Sequence, residues 1–386
     1  MNLFRTNACN NNIIYHYKPL SEYGGHINFN GHSGCTVFLA PHARLEEGTI
    51  SIRGNNAAVF IGNARLARCT IAVYHDCTFY IGNNGYINGY GDRQVITIAE
   101  QTAVIIGDSC WLSYPLEITT TDVHLIFDLK TRRRLNQAAS IFIGDHVWIG
   151  RDVRIYKGAR ISSGSIVATK AFLSSKLYPS HSIIAGVPGR PLSKREVFWD
   201  GHNSLVFSEV DSKKYSELSD DDSIVESFIY QYDDKQIITP QDIELNLRQS
   251  KHSENKIAFL YETLFVDSKH NRFVWNCESE NKEARVMSCG HLFKQEKKRM
   301  VQIAEVFPVR AETGSEKNMP YTDVSWGQQD RKLIELSRKA QIAALRREWL
   351  RCRLLGVMIA FDFKKSEHYK NKAKRINILL KELNRK

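Results

Sequence analysis

An aliphatic residue returns at every sixth position across residues 141–170, IFIGDHVWIGRDVRIYKGARISSGSIVATK. Ile143, Ile149, Ile155, Ile161 and Val167 carry the step, and Val147, Val153, Ala159 and Ser165 repeat it with small or β-branched residues. Neither a helix nor a simple two-faced strand needs this period. A coil of about 18 residues wound as a triangle does: each flat side buries one aliphatic residue, and each corner takes a small or permissive one. Ile106, Leu112 and Ile118 keep the same step, with Cys110 and Leu116 in the companion series.

The repeat extends upstream. An aliphatic-Ile-Gly signature recurs as VFIGN (59–63), FYIGN (79–83), VIIGD (104–108) and IFIGD (141–145). Its spacing grows along the chain, as it would if turns of one size carried insertions of increasing length. The pattern predicts a mainly β chain: a left-handed parallel β-helix over residues 1–195, with an irregular cap at 1–45 and an extruded loop at 119–140. It ends at GVPGRPLSKREVFWD (186–200), where prolines and charges break it.

Residues 196–325 read as a mixed α/β or α extension of unknown role. Residues 326–386 read as a basic amphipathic helical tail, with Leu333, Leu336, Ala340 and Ala343 at helical spacing. The net charge of +11 belongs to this end. Residues 325–386 hold 17 Lys or Arg against 6 Asp or Glu, which leaves the rest of the chain close to neutral. Such a tail suits the anionic cytoplasmic leaflet or a helical partner surface; nucleic acid is not expected, because no recognition motif accompanies the charge. The eight cysteines include no CxxC pair and read as reduced thiols. No secretory signal pattern and no long apolar run is seen, so a cytoplasmic protein is expected.

Four ordered segments resemble the hexapeptide-repeat acyltransferases: ITTTDVHLIFD (118–128), FIGDHVWIG (142–150), VATK (167–170) and IIAGVPGRPL (183–192). The similarity is greatest to the O-acetyltransferases of bacterial capsule or lipopolysaccharide sugars, and it covers about residues 50–195. It implies acetyl-CoA as co-substrate, a homotrimer, and a polysaccharide acceptor, anionic or neutral, modified at the inner face of the inner membrane.

His124 stands where the register step from Ile118 should give an aliphatic residue, so the chain has left the coil there. A loop pushed out of a solenoid is where binding groups sit. A sugar hydroxyl needs a base to become a nucleophile, and a neutral imidazole suits that task. His124 matches the family's catalytic histidine in a DxHxI segment. Asp122 and Asp128 flank it, and either carboxylate could orient the imidazole. Trp148 lies between two register positions and should point outward, where an aromatic needs a subunit or a ligand beside it. The resemblance places it in the active site.

For the donor, Ala168, Ala185 and Gly186 are small enough for a pantetheine arm to lie against backbone, and Lys170 and Arg190 offer cations for phosphates. Arg190 replaces the lysine usual in the family. For the acceptor, Arg132, Arg133 and Arg134 share the loop with His124, and Arg151 follows Trp148; together they would suit an anionic polymer. No metal is expected: His124, His146 and His181 form no HxxxxH pair like that of the zinc-binding γ-class carbonic anhydrases. The competing functions are a nucleotide-sugar N-acetyltransferase and a non-catalytic β-helix scaffold with a membrane-binding tail. Residues 1–50 show no glycine-rich βαβ start for the former.

Overall fold

A computed structural model describes residues 2–89, 94–192, 195–217, 229–230, 238–266 and 273–274. The chain divides into two compact units, Met1–Thr322 and Asp323–Lys386. The second unit, and with it the expected basic tail, lies outside the described residues.

The first unit is built on a three-sided parallel β-helix. Face 1 is a nine-stranded sheet running from Phe4–Ala8 to Leu177–Tyr178; faces 2 and 3 have seven strands each. One full circuit shows the plan. Ile141–Ile143 lies on face 1, Trp148–Ile149 on face 2, Val153–Tyr156 on face 3, and Arg160–Ile161 returns to face 1 beside Ile141–Ile143. The sixfold series is therefore one inward residue per face, and Ile143, Ile149, Ile155, Ile161 and Val167 are all buried in a single core. From coil to coil these residues stack in register, as Ile71, Ile96, Ile118, Ile155 and Leu173 do on face 3. The companions Val147, Val153, Ala159 and Ser165 are buried as well. Corners are turned by residues at positive φ, among them Asn84, Ser109, His146, Asp152, Lys170 and His181.

The coil starts earlier than the repeat suggests. Residues 1–45 are not an irregular cap. Asn12–His16 and Thr36–Leu39 pair in parallel with each other, and His26–Asn28 pairs in parallel with Thr49–Ile52. Phe4–Ala8 adds an antiparallel strand that closes the exposed edge of face 1. The spacing of six is obscured here because polar turns such as NACNNN and NGHSG separate the inward residues.

Face 1 is apolar on both sides. Its outward residues Phe38, Phe60 and Tyr80 form an aromatic ladder, with ring centroids 4.3 and 5.1 Å apart. The extension covers it. After a short helix α1 (Glu209–Lys214), helices α2 (Pro240–Gln249) and α3 (Ser253–Leu260) and a π-turn (Tyr261–Val266) bring Ile243, Leu247, Ile257, Leu260 and Leu264 onto this face. Thr239 caps α2 through its side chain, with Asp242 completing the capping box and Pro240 in the first turn. Tyr261 and Phe265 pack edge-on and tilted against Phe38 and Phe60. Polar bonds fix the register: Ser253 bonds Thr36, Glu254 accepts from Tyr15, and Glu244 accepts from Ser140. The buried Lys256 ammonium donates to the corner carbonyls of Asn56 and Asp76 in successive coils. Within the extension, residues 240–266 are thus mainly helical and are folded onto face 1 of the solenoid.

Candidate functional site

The segment between Thr119 on face 3 and Ile141 on face 1 leaves the coil, as the failed register at His124 implied. Asn136, buried at its base, holds both arms of the loop together. Its Nδ2 donates to the His124 carbonyl at 2.6 Å and to the Asp122 carboxylate at 3.1 Å, and its Oδ1 accepts from the Ile126 amide at 2.8 Å. The His124 side of the loop is exposed, along with Val123, Leu125, Ile126, Phe127, Leu129 and Leu135.

Neither flanking carboxylate orients the His124 imidazole. Asp122 takes Lys157 and Asn136 as partners, and the Lys157 ammonium first, then Asn136, hold its carboxyl below the usual aspartate range. Asp128 accepts the amides of Lys130 and Thr131 within a turn. Among the described residues the His124 ring has no hydrogen-bond partner. Sequence adjacency put the aspartates near the histidine; the lysine that claims Asp122 comes from the next coil.

Arg134 is also committed elsewhere. It grips Glu100 with two bonds of 2.7 and 2.8 Å and donates to the Asn136 carbonyl. It positions the loop base rather than facing an acceptor. Arg132 and Arg133 are exposed and in no ion pair among the described residues. Arg151 lies over the Tyr114 ring, 5.3 Å from its centroid.

Trp148 points outward from face 2 and is 42% exposed, while its neighbours Val147 and Ile149 are buried. It pairs directly with Trp111, 41% exposed, on the preceding coil. Downstream of Trp148 the corner is lined by small residues. The Gly150 amide donates to the Val167 carbonyl and the Ala168 amide to the Ile184 carbonyl, which stacks Gly150, Ala168 and Ala185 in one column. A Cβ at Gly150 would stand 2.8 Å from the Thr169 nitrogen, so the backbone here is already as close as packing allows. The column ends in an antiparallel hairpin that pairs Ala185 with Arg190 through Gly186. Lys170, at a corner, and Arg190 are exposed. The sequence-derived donor residues are thus gathered along one side of face 2. His124 is on a different side of the prism, on the loop between faces 3 and 1, and no hydrogen bond or ring contact joins it to Trp148 among the described residues.

A residue that sequence reasoning missed is Trp199, 7% exposed, beside Trp148. The ring of His146, at the corner before Trp148, stacks flat on it at 3.9 Å. On face 3, at the root of the loop, Val95, Thr97, Glu117, Thr119, Asp122 and Tyr156 help line an open cleft of about 530 Å³. Among the described residues no group of three His, Cys, Asp or Glu could hold a metal ion, and no helix is long and apolar enough to cross a membrane.

No family model matches the chain. A polysialic acid O-acetyltransferase of Neisseria meningitidis is 31% identical over 114 residues, 29% of this chain and 51% of that protein. The chain thus spans about half the length of this curated relative. Among solved structures, the polySia-specific acetyltransferase NeuO is 22% identical, with 54% of this chain and 88% of that one covered at a TM-score of 0.39. The polysialic acid O-acetyltransferase OatWY is 23% identical, with 53% and 96% covered at a TM-score of 0.37. The sixfold repeat and the three-sided parallel coil are those of a hexapeptide-repeat solenoid, and 114 residues of the chain are similar to a polysialic acid O-acetyltransferase.

Proposed function

We propose that this chain is an acetyl-CoA-dependent O-acetyltransferase acting on a sugar hydroxyl of a bacterial capsular or other surface polysaccharide. The observation that carries the reading is the match to a polysialic acid O-acetyltransferase. The small-residue column beside Trp148 supports the donor assignment. A pantetheine arm laid along Gly150, Ala168 and Ala185 would meet backbone rather than side chains, and Lys170 and Arg190 would offer charge-assisted bonds to phosphate.

In this reading the His124 imidazole takes the proton of the acceptor hydroxyl as the oxygen attacks the thioester carbonyl. The carbon–sulfur bond then breaks, and the departing thiolate takes up the proton. Arg132, Arg133 and Arg151 hold an anionic acceptor near the loop. A homotrimer is part of the proposal. His124 and Trp148 lie on different sides of one copy, so a site that uses both is completed between copies. The exposed apolar side chains of the loop give it a surface to set against a neighbour. The basic tail would hold the trimer at the cytoplasmic face of the inner membrane.

The test is to incubate the full-length protein with acetyl-CoA and polysialic acid, alongside a neutral capsular polymer. Acetyl increments on the polymer by mass spectrometry, with stoichiometric thiol release, are the expected result. Thiol release with a nucleotide amino-sugar but with no polymer would move the activity to N-acetylation.

A further inference from the structure

We propose that Trp199, carried by the segment that follows the solenoid, is a positioning residue of the donor site: it fixes the ring of Trp148 from behind, against the side where the small-residue column begins. The inference rests on the reading of Trp148 as part of the donor site.

A tryptophan standing outward on a flat β-face has several staggered rotamers open to it. Trp111 is the register neighbour of Trp148 one coil below, and both rings remain about two-fifths exposed. Trp199 supplies a ring that both can pack against. Its centroid lies 6.0 Å from that of Trp148, at 46°, and 5.4 Å from that of Trp111, at 58°, both within the range of favourable aromatic pairs.

Trp199 can serve as a reference because it is itself held from several directions. Its indole N–H donates to the His146 carbonyl at 2.8 Å, and its own carbonyl bonds His146 Nε2 at 2.8 Å. The His146 imidazole lies parallel to it, at an interplanar angle of 1°. Two residues earlier, the Val197 amide donates to the His181 carbonyl at 2.7 Å, and the Val197 carbonyl bonds His181 Nδ1 at 3.1 Å. Two residues later, Gly201 abuts Trp111 so closely that a Cβ would stand 2.8 Å from the ring. This strap, residues 197–201, is bonded at its start and at its centre to two corners of the coil, His181 and His146, and at its end lies against Trp111 on face 2.

The direction of the restraint ties it to the site. His146 turns the corner that precedes Trp148, and Gly150 begins the corner that follows it. Trp199, stacked on His146, stands on the upstream side, while the Gly150–Ala168–Ala185 column runs on the downstream side. The strap stops at the edge of the exposed tryptophans and leaves the column open. A strap that served only to seal the solenoid would cover these rings, as α2 and α3 cover the rings of face 1. Holding a binding group by an immobile neighbour reduces the ordering cost of the complex.

The test uses the full-length protein and the variants Trp199→Leu, Trp199→Phe and Trp148→Leu, each confirmed as folded by far-UV circular dichroism. Trp199→Leu is expected to raise the KM for acetyl-CoA about tenfold, with kcat and the acceptor KM changed less than about twofold, the split that marks lost donor binding. Trp199→Phe, which keeps a ring against His146, should recover most of that loss. Trp148→Leu should raise the same KM at least as far. A wild-type donor KM in Trp199→Leu beside an impaired Trp148→Leu overturns the role of Trp199 and leaves the donor site standing. A wild-type donor KM in Trp148→Leu overturns the donor reading and the role of Trp199 with it. Should Trp199→Leu fail to fold, Trp199→Met, which fills the space without a ring, decides: a donor KM raised several-fold supports the restraint, and an unchanged one overturns it.

Discussion

Faces 1 and 2 carry the same device and use it differently. Each presents large rings outward in register on successive coils: Phe38, Phe60 and Tyr80 on face 1, and Tyr86, Trp111 and Trp148 on face 2. On face 1 the rings are fully buried beneath α2, α3 and the π-turn. On face 2 a single strap touches Trp111 and Trp148 at their edge and leaves both about two-fifths exposed. Burying a large apolar side chain is worth about 1.5–3 kcal/mol, so the chain gains from sealing face 1 and forgoes part of that gain on face 2. The difference separates a side that keeps the solenoid folded from a side held open beside the candidate donor track.

The sharpest division should appear in the extruded loop, whose His124 is exposed. His124→Ala is expected to lower acetyl transfer by about 10²–10⁴, the usual cost of a lost general base, with the thermal midpoint unchanged. The ring is exposed and bonds nothing among the described residues, so little packing goes with it. Turnover assays beside melting curves check both halves. Wild-type turnover would remove His124 from the chemistry, and a collapsed midpoint would show that the loop is part of the fold.

The sealed side should respond the opposite way. Phe60→Ala removes a ring at the centre of the aromatic ladder, between Phe38, Tyr80, Tyr261 and Phe265. A loss of about 3–5 kcal/mol in unfolding free energy is expected, with kcat unchanged in the protein that remains folded. Trp148→Ala should cost about 1 kcal/mol or less in stability, because its ring is only partly buried. Denaturant unfolding of the two variants measures the contrast directly. Equal costs would mean that face 2 is as structural as face 1.

How much of this contrast was legible in the sequence depends on the range of the contacts. The inward ladders were legible because each coil repeats the same step, so Ile143, Ile149, Ile155 and Ile161 announce their own burial. The departure at residues 119–140 was legible because the step fails at His124. The cover on face 1 was not, since Tyr261 and Phe265 reach Phe38 and Phe60 across about two hundred residues of chain with no periodicity to link them. The strap was hidden for the same reason: Trp199 follows a stretch of prolines and charges that reads as the end of the fold. Asp122 was misassigned because it stands two residues from His124, whereas its carboxylate points to Lys157 on the next coil.

A smaller effect would sharpen the reading of the donor side. Ala185→Trp fills the small-residue column without touching the loop or the core. It should weaken acetyl-CoA by about tenfold or more through steric exclusion, while the melting temperature holds. Titration with CoA reads it out. Lys170→Ala should weaken CoA more than dephospho-CoA if that ammonium meets the 3′-phosphate, and equal weakening would transfer the phosphate contact to Arg190.

The smallest expected effect concerns acid. Burial, more than any other influence, holds the His146 imidazole below its ordinary value; nearby His181 acts in the same direction, and the bond to Trp199 and the Asp200 carboxylate act against it. The unfolded chain therefore takes up a proton at this residue more readily than the folded one. Stability rises with pH wherever the unfolded state binds more protons, so the contribution of His146 is complete above the ordinary histidine range and fades as the pH falls through it. Because His146 bonds and stacks on Trp199, the loss should register on the open face first. Near-ultraviolet circular dichroism of the tryptophans is expected to weaken between pH 7 and about pH 5 before the far-ultraviolet signal of the coil changes, within the range where histidine titrates. His146→Gln, which has no proton to gain, should flatten that early phase. If the tryptophan signal in this variant still fell in step with the wild type, the acid sensitivity would belong to another group, and the stack on His146 would hold the strap without sensing pH.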